Sequence, residues 1–226
     1  MPPVPALTAS TQEQIVLAAE RLFAERGVDG VSLRQIGSAA GSGNNSAVQY
    51  HFGTKEQLVR AIFEFRLPRL HEHRMRLVDR LRPHDLRAWI ECHTLPLVEL
   101  ADEPNSHYVS FVGMLQHHGR LDLFETMPEE HRAWARTIYA AIDDQLAGIP
   151  EPLRTDRITH ALAYTVQAAS DREQATSSGR PTLPFTVFTN DLIDGVVGLL
   201  AAPVSSATEA ALRAADPTEL RRPLHL

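Results

Sequence analysis

The stretch SLRQIGSAAGSGNNSAVQYHFGTKEQL, residues 32–58, decides the fold of the N-terminal part of the chain. Ser32 with Gln35 three residues later is a capping box, so a helix is predicted to begin there. A glycine-containing turn follows, then a short helix over about 45–52, after which Thr54 caps another helix. Two short helices joined by a tight turn predict a helix-turn-helix.

The flanking sequence predicts only helices. Apolar residues at helical spacing indicate a first helix over 11–26. The helix that begins after Thr54 runs through Pro68, which is expected to kink it, and its arginine-rich second half is interpreted as a solvated face. Further helical patterns cover 85–101, 106–118, 128–147, 156–173 and 184–202. No strand-like alternation is found, so the fold class is all-α, with an N-terminal three-helix helix-turn-helix domain and a C-terminal helical domain.

The composition restricts the class of protein. The 226 residues carry a net charge of −6, so any contact with DNA must use a local patch. Cys92 is the only cysteine, which excludes an intrachain disulfide and favours a cytoplasmic location. Residues 1–11 lack the pattern of a signal peptide, and no apolar run approaches the ~20 residues of a membrane span, so no membrane contact is expected.

The local charge pattern of the helix-turn-helix suits DNA. No acidic residue lies between Asp29 and Glu56, whereas Arg34 and Lys55 are basic. Short amide and hydroxyl side chains can read base edges, and ring, hydroxyl and cationic groups can contact phosphates. The candidate DNA contacts are Arg34, Asn44, Asn45, Ser46, Gln49, Tyr50, His51, Thr54 and Lys55. On the pattern alone, a plain helical hairpin is an equal alternative.

Two longer segments, IVLAAERLFAERGVDGVSLRQIGSAAG and VQYHFGTKEQLVRAIF, resemble the N-terminal domain of the tetracycline-repressor (TetR) family of bacterial transcriptional regulators. The resemblance includes the Leu-Phe-x-Glu-x-Gly close of the first helix and the Tyr-His-Phe-x-x-Lys end of the motif. It implies a homodimer that binds a palindromic double-stranded DNA operator and is released by a small molecule in the C-terminal domain. Repression rather than activation is implied by family habit alone.

The resemblance also implies roles for single residues. Ser46 and Gln49 would lie in the recognition helix, facing base edges and phosphates. Tyr50 and His51 would contact the DNA backbone or brace the helix, and Lys55 would hold a phosphate. One departure is that the turn is a residue longer than the commonest family pattern. Its two asparagines therefore either read bases, extend the turn or cap the third helix.

The expected organisation has four parts. They are a disordered N-terminal arm (1–10), a DNA-binding domain (11–66), an effector-binding and dimerisation domain (67–203) and a C-terminal tail (204–226) that is disordered or weakly helical. The last two strong helices are the best candidates for a dimer interface, because small residues along them allow close approach. The candidate interface residues are Ile158, Leu162, Thr165, Ala169, Phe188, Leu192, Val196 and Leu199. The alternative is that these are ordinary core helices of a monomer.

The middle helices carry side chains from which an effector pocket can be built. A mostly apolar cavity with a few polar groups suits a small organic molecule of unknown identity. The same residue types at helical spacing equally suit a core. The candidate pocket residues are Trp89, His93, Phe111, Met114, His118, Trp134 and Tyr139.

Other chemistry is not indicated by the sequence. The 11 histidines lack a metal-ligand spacing, so neither a metal nor another cofactor is expected. The HHGRLD segment, residues 117–122, resembles an acyltransferase box only by coincidence, since that chemistry needs a far longer α/β chain. We therefore expect no enzyme. The alternative function that stays open is a small-molecule-binding or interaction protein without specific DNA binding.

Overall fold

A computed structural model describes residues 10–41, 47–120, 124 and 126–216. Within those ranges all regular structure is helical, as the predicted all-α class requires. The helices, in chain order, are α1 (Thr11–Arg26), α2 (Leu33–Ala39), α3 (Ala47–Phe52), α4 (Lys55–Leu81), α5 (Leu86–Ala101), α6 (Tyr108–His117), α7 (Glu129–Gln145), α8 (Glu151–Ser177), α9 (Phe185–Ala201) and α10 (Ser206–Ala214).

Side chains cap the helices of the N-terminal domain where the sequence indicates. The Ser32 hydroxyl accepts a hydrogen bond from the Gln35 backbone N–H, while the Ser32 N–H donates to the Gln35 side chain at 2.8 Å. The Thr54 hydroxyl accepts from the backbone N–H of Gln57 at 3.2 Å. A further capping box begins α1. These local signals confirm the predicted start of α2 and of α4.

One predicted helix is longer in the structure, and another has the predicted extent. α8 begins at Glu151 and ends at Ser177, beyond the predicted range of 156–173, because Pro152 lies in its first turn, where proline costs no hydrogen bond. α4 runs through Pro68 as one helix and ends at Leu81, as predicted.

Part of the expected C-terminal tail is also helical. α10 begins after Ser205, whose hydroxyl accepts a hydrogen bond from the Thr208 N–H at 3.2 Å. This part of the tail is therefore helical, which was one of the two alternatives expected for it. Residues 1–9 and 217–226 lie outside the described ranges. No described helix taken singly has the length and apolarity of a membrane span; α9 and α10 reach them only together, across a bend of 51°.

One hydrophobic core runs through both halves of the chain. Phe23 of α1, Phe63 of α4 and Phe111 of α6 meet between the halves and are almost completely buried. The ring centroids of Phe23 and Phe111 are 6.4 Å apart, and those of Phe63 and Phe111 are 5.6 Å apart. The expected boundary between residues 66 and 67 therefore lies within α4 and not at a break in the core.

A buried ion pair joins α1, α4 and α6. Arg66 donates two hydrogen bonds to the Glu20 carboxylate, each of 2.7 Å, and the backbone N–H of His107 donates a third at 3.1 Å. Burial disfavours the charge of Arg66, but the hydrogen bond and the charge of Glu20 outweigh it and raise the pKa of Arg66 above its usual value. Glu20 is fully buried and Arg66 is half-buried, so each charge depends on the other to offset its loss of water.

Replacing Glu20 by glutamine is expected to lower the free energy of unfolding by about 3 kcal/mol, because the Arg66 guanidinium is left buried without a counter-charge. Guanidinium chloride unfolding, followed by circular dichroism at fixed protein concentration, measures the change. The matched control is Glu25→Gln, since Glu25 is exposed and lies 4.0 Å from Arg26. A loss no larger in Glu20→Gln than in the control would contradict the role assigned to the pair.

Candidate functional site

The outer surface of α3 is fixed by close packing against α2. Val48 is fully buried, and a Cβ atom placed on Gly37 would lie only 3.3 Å from its Cγ2 atom. A side chain in place of Gly37 would therefore push the two helices apart. Gln49, Tyr50 and His51 are exposed, and the exposed fraction of Tyr50 is 85%.

His51 braces α3 against α1. Its Nδ1 atom lies 3.2 Å from the Nε2 atom of Gln12, within hydrogen-bonding distance. Tyr50 forms no hydrogen bond with the described residues, and its ring lies edge-on to that of His51 with centroids 5.2 Å apart. Of the two roles that the resemblance implies, bracing fits His51 and a contact with the DNA backbone fits Tyr50.

Arg34 adds a positive charge to the same surface. It is exposed on α2, and no carboxylate of the described residues pairs with it. The sequence has no acidic residue between Asp29 and Glu56. The surface formed by α2 and α3 is therefore locally positive, although the whole chain is acidic.

Three predicted contacts, Asn44, Asn45 and Ser46, lie outside the described residues and stay predictions. The described chain reaches them from Gly41, whose φ of 67° lies in the left-handed region that glycine adopts readily. The turn that follows α2 therefore begins at the glycine that the sequence indicates.

The N-terminus of α4 already carries a negative charge. Thr54 caps this helix, and the Glu56 carboxylate lies in its first turn. Hydrogen bonds from its own backbone N–H and from Thr54 lower the pKa of Glu56, so the carboxylate is charged at neutral pH. A phosphate at this helix end would meet that charge, so the structure favours capping by Thr54 over the predicted phosphate contact.

Lys55, the only lysine of the chain, clamps the loop between α1 and α2. Its Nζ atom donates to the backbone carbonyl oxygen of Val28 at 2.9 Å and to that of Asp29 at 3.3 Å. The resemblance implied a phosphate contact for this residue. The structure instead gives its ammonium group two acceptors within the chain, which leaves one of its three hydrogens free.

Replacing Lys55 by methionine should lower the free energy of unfolding by about 1–3 kcal/mol without DNA present, because two carbonyl groups lose a charged donor. Chemical denaturation of the DNA-free protein measures this. Arg34→Met is the matched control, since Arg34 has no partner among the described residues, and its stability should be unchanged. Unchanged stability of Lys55→Met together with weaker DNA binding would instead support the phosphate contact.

The residues expected to line an effector pocket do not share one cavity. Phe111 belongs to the aromatic cluster between the two halves. Met114 and His118 lie at the far end of α6, beside the loop between α1 and α2. Tyr139 donates a hydrogen bond to α8 at 3.1 Å, and Trp89 packs partly buried against the core.

His93 and Trp134 do come together, at the junction of α5 and α7. The Trp134 Nε1–H donates to the Nδ1 atom of His93 at 3.3 Å. Burial, reinforced by the charge of Arg74, lowers the pKa of His93 well below its usual value, so the imidazole is neutral. Because Nδ1 accepts a hydrogen bond, the proton of the neutral ring is on Nε2, which is buried and has no partner among the described residues.

Arg74 completes this cluster, and its position corrects the expectation that the arginine-rich half of α4 is solvated. It is only 6% exposed, and its guanidinium carbon lies 5.2 Å from the centroid of the Trp134 ring. Burial lowers the pKa of Arg74 to about 10. Its helical phase was the signal that sequence reasoning missed, since it falls in step with Leu67, Leu70 and Leu77 on the buried face.

A groove of about 500 Å³ opens beside this cluster, between α4 and α7. Its volume lies within the range of about 300–1,000 Å³ that is typical of small-molecule sites. The wall is mostly apolar, with one buried charge. This Arg74 groove is lined by Leu67, Pro68, His71, Glu72, Arg74, Met75, Glu130, His131 and Trp134.

Most residues expected at a dimer interface lie inside the chain's own core. Those at most 5% exposed are Ile158, Thr165, Ala169, Leu192 and Val196. α8 and α9 pack this face against α5 and α6, so the expectation that it contacts a second subunit is corrected. Of the remaining candidates, Leu162 and Phe188 are half-buried, and Leu199 is exposed.

The opposite face of α8 and α9 is exposed and carries apolar side chains. A Cβ atom added to Gly195 or Gly198 would meet nothing within 4 Å, so this face is open at both glycines. The exposed apolar side chains of these elements are Tyr164 on α8, Leu183 just before α9, and Val187 and Leu199 on α9. These six residues define the α8–α9 outer face.

The groups that suggested other chemistry are separated or shielded. Among the described residues, no three His, Cys, Asp or Glu side chains come together as a metal site. Cys92 is buried, and burial raises the pKa of its thiol to about 11, so the thiol is protonated at neutral pH.

Comparison with known proteins agrees with this geometry. Residues 15–62 match the model of the bacterial regulatory proteins of the tetR family. No curated protein sequence matches the chain. The matched residues contain α2 and α3, and with them the exposed acid-free surface.

Solved structures extend the similarity beyond this domain. A transcriptional regulator from Rhodococcus sp. Rha1 has a TM-score of 0.54 and 21% identity, over 84% of this chain and 96% of that one. A protein described in the molecular basis for control of antibiotic production by bacterial hormones has a TM-score of 0.50 and 19% identity, over the same shares of 84% and 96%. At such identities they establish the fold alone. Residues 15–62 are thus similar to the tetR family of bacterial regulatory proteins, and the chain as a whole shares the fold of these two solved structures.

Proposed function

We propose that this chain is a cytoplasmic transcriptional repressor that binds a palindromic double-stranded DNA operator as a homodimer. A small molecule in the Arg74 groove would release it. The observation that carries the proposal is the exposed, acid-free surface of α2 and α3, where the tetR family match and the outward-facing side chains coincide. Repression, rather than activation, is proposed by similarity to the family.

Gln49 is the best described candidate for reading a base. Its amide is exposed on the outer side of α3 and has no partner among the described residues. A glutamine amide can form two hydrogen bonds with adenine in the major groove. Arg34 and Tyr50 lie on the same exposed surface with groups that donate to phosphates, which would fix the register of the helix.

The α8–α9 outer face supports a two-fold dimer. It combines exposed apolar side chains with two glycines that leave room for a neighbouring helix. Pairing this face with its own copy would remove the apolar surface from water and create the two-fold symmetry that a palindrome requires. The recognition helices would then enter major grooves about one helical turn apart, ~34 Å.

Contacts between the helical domain and the loop between α1 and α2 provide a route from effector to DNA. Lys55 at the start of α4 holds this loop, and Arg120, which follows α6, lies 3.4 Å from Asp29 within it. His118, at the end of α6, also lies close to this loop: its Nε2 atom would be 4.0 Å from a Cβ atom placed on Gly27. A ligand that displaces α4 or α6 would therefore move α2 and α3, and by linkage DNA would weaken ligand binding by the same factor.

Gln49→Ala is expected to weaken operator binding by about 1–3 kcal/mol, because a base contact is lost. Arg34→Ala should reduce the slope of log affinity against log salt by about 0.9 for each phosphate contact removed. Fluorescence anisotropy on a bound palindrome, selected from genomic fragments and titrated across a salt series, measures both quantities.

The control for both variants is Arg213→Ala, because Arg213 is exposed on α10, remote from the helix-turn-helix. It should leave affinity and salt slope unchanged. Sequence-blind binding by the wild-type chain, or equal binding by Gln49→Ala, would contradict the proposal and favour an interaction protein.

Gly198→Arg should convert the dimer to a monomer, because a long charged side chain would enter the paired α8–α9 outer face. Within one chain the position is open, so folding should be unaffected. Gly148→Arg is the matched control: this exposed glycine between α7 and α8 is equally open and lies off that face. Light scattering coupled to size exclusion measures the mass. A dimeric Gly198→Arg would reject this interface.

A further inference from the structure

We infer that the Arg74 groove binds an apolar organic acid, with its carboxylate on Arg74 and its apolar body against Trp134 and Met75. That this acid is the effector rests on the proposed function. Binding of the acid to the groove does not, and it can be tested by itself.

Among the described residues, Arg74 has no counter-charge of the kind that a buried guanidinium requires. No carboxylate of the described residues pairs with it, and its Nε–H is buried without an acceptor. Its close contact is the face of the Trp134 ring, a cation–π interaction that does not occupy the in-plane hydrogens. Because a guanidinium presents a planar fork that matches a carboxylate, the groove is complementary to that group.

The second unpaired group nearby is also a donor. The Nε2–H of His93 has no partner within the part of the chain that the structure describes, and the Nδ1 atom of the same imidazole accepts a hydrogen bond from the Trp134 indole that lies beneath Arg74. His93 lies behind Trp134 and not in the wall of the groove, so Arg74 is the buried donor that a ligand there can reach. A guanidinium requires acceptor atoms, which a carboxylate supplies and an ammonium does not, so the site selects against cationic ligands.

The other ionisable side chains of the groove are more exposed. Glu72 and Glu130 are exposed, and His71 and His131 are partly so. Solvent and salt screen the charges of these carboxylates. The charge of Arg74 acts from a buried position, where electrostatic interactions are stronger, so it dominates the interior of the groove.

Other arginines of the chain do not offer the same chemistry. A neighbouring groove of about 410 Å³ between α4 and α5 contains Arg69, but this residue pairs with Glu103 at 2.6 Å. Arg172 is as deeply buried as Arg74, but it pairs with Asp102 at 2.7 Å. Among the described residues, burial without a carboxylate partner thus distinguishes Arg74.

Isothermal titration calorimetry of the full chain with 4-phenylbutyrate and octanoate tests the inference, with 4-phenylbutanol and octanol as uncharged partners of similar shape. Each acid should bind saturably with a Kd below about 1 mM, and each alcohol at least tenfold more weakly. Arg74→Met should weaken the acids ten- to hundredfold and leave the alcohols unchanged, because it removes only the charged fork.

Two further variants make the result independent of how Arg74→Met folds. Arg69→Met, on the same helix but in the neighbouring groove, should keep full affinity for both acids. Met75→Glu places a negative charge at a partly exposed position of the Arg74 groove and should weaken the acids but not the alcohols. Circular dichroism and thermal melting check that each variant is folded.

The inference is overturned if neither acid binds saturably, if acid and alcohol bind equally, or if Arg74→Met and Met75→Glu both retain the acids at wild-type affinity. Operator binding measured by fluorescence anisotropy in the absence of acid tests the proposed function separately. A chain that binds acid through Arg74 but binds no operator would keep the site and refute the regulator. Release of the operator by 4-phenylbutyrate in the wild type, but not in Arg74→Met, would show that acid binding in the groove controls DNA binding.

Discussion

The buried ion pair between Glu20 and Arg66 is the constraint on which the rest of the structure depends. Two charges inside a helical core are tolerated only while their hydrogen bonds stay intact, including the one from the His107 N–H. That requirement fixes α1, α4 and α6 in one arrangement, and the phenylalanine cluster fills the space around it. The helix-turn-helix and the helical domain consequently share a core, and a displacement of α4 cannot be absorbed at a flexible joint.

Local signals were sufficient to predict much of the fold. The capping residues Ser32 and Thr54 act within one turn of the backbone, so their partners lie in the neighbouring sequence. The acid-free segment and the outward position of Gln49 can also be predicted from neighbouring residues alone. The match to the tetR family then gives this surface its meaning, because a helical hairpin alone does not distinguish a DNA-binding surface from a simple packing unit.

Roles set by distant residues could not be predicted in the same way. Lys55 has its acceptors on a loop 26 and 27 positions earlier in the chain. The buried face of α8 was correctly identified as apolar, but the sequence does not say whether residues such as Ile158 meet another helix of the same chain or of a second copy. Arg74 was missed because its charge type predicts exposure, whereas the phase of α4 places it inside.

Buried polar atoms without hydrogen-bond partners are unevenly distributed over the described residues. The buried polar side-chain atoms without partners, within the described ranges, belong to Arg74, His93, Thr94 and Thr189. All four residues lie in the helical domain, whereas the buried carboxylate of Glu20 on α1 is paired with Arg66. These unpaired groups make the helical domain less stable than a fully paired core would be, and a ligand carboxylate on Arg74 would remove one of these costs.

The clamp formed by Lys55 has a consequence for covalent chemistry. As the chain contains one lysine, reagents or enzymes that acylate side-chain amines have a single target, which holds the loop leading into the helix-turn-helix. Acylation would remove the positive charge and reduce the number of hydrogens that Nζ can donate to Val28 and Asp29. A single acylation per chain would therefore loosen the loop that precedes α2. No other lysine would contribute to the effect.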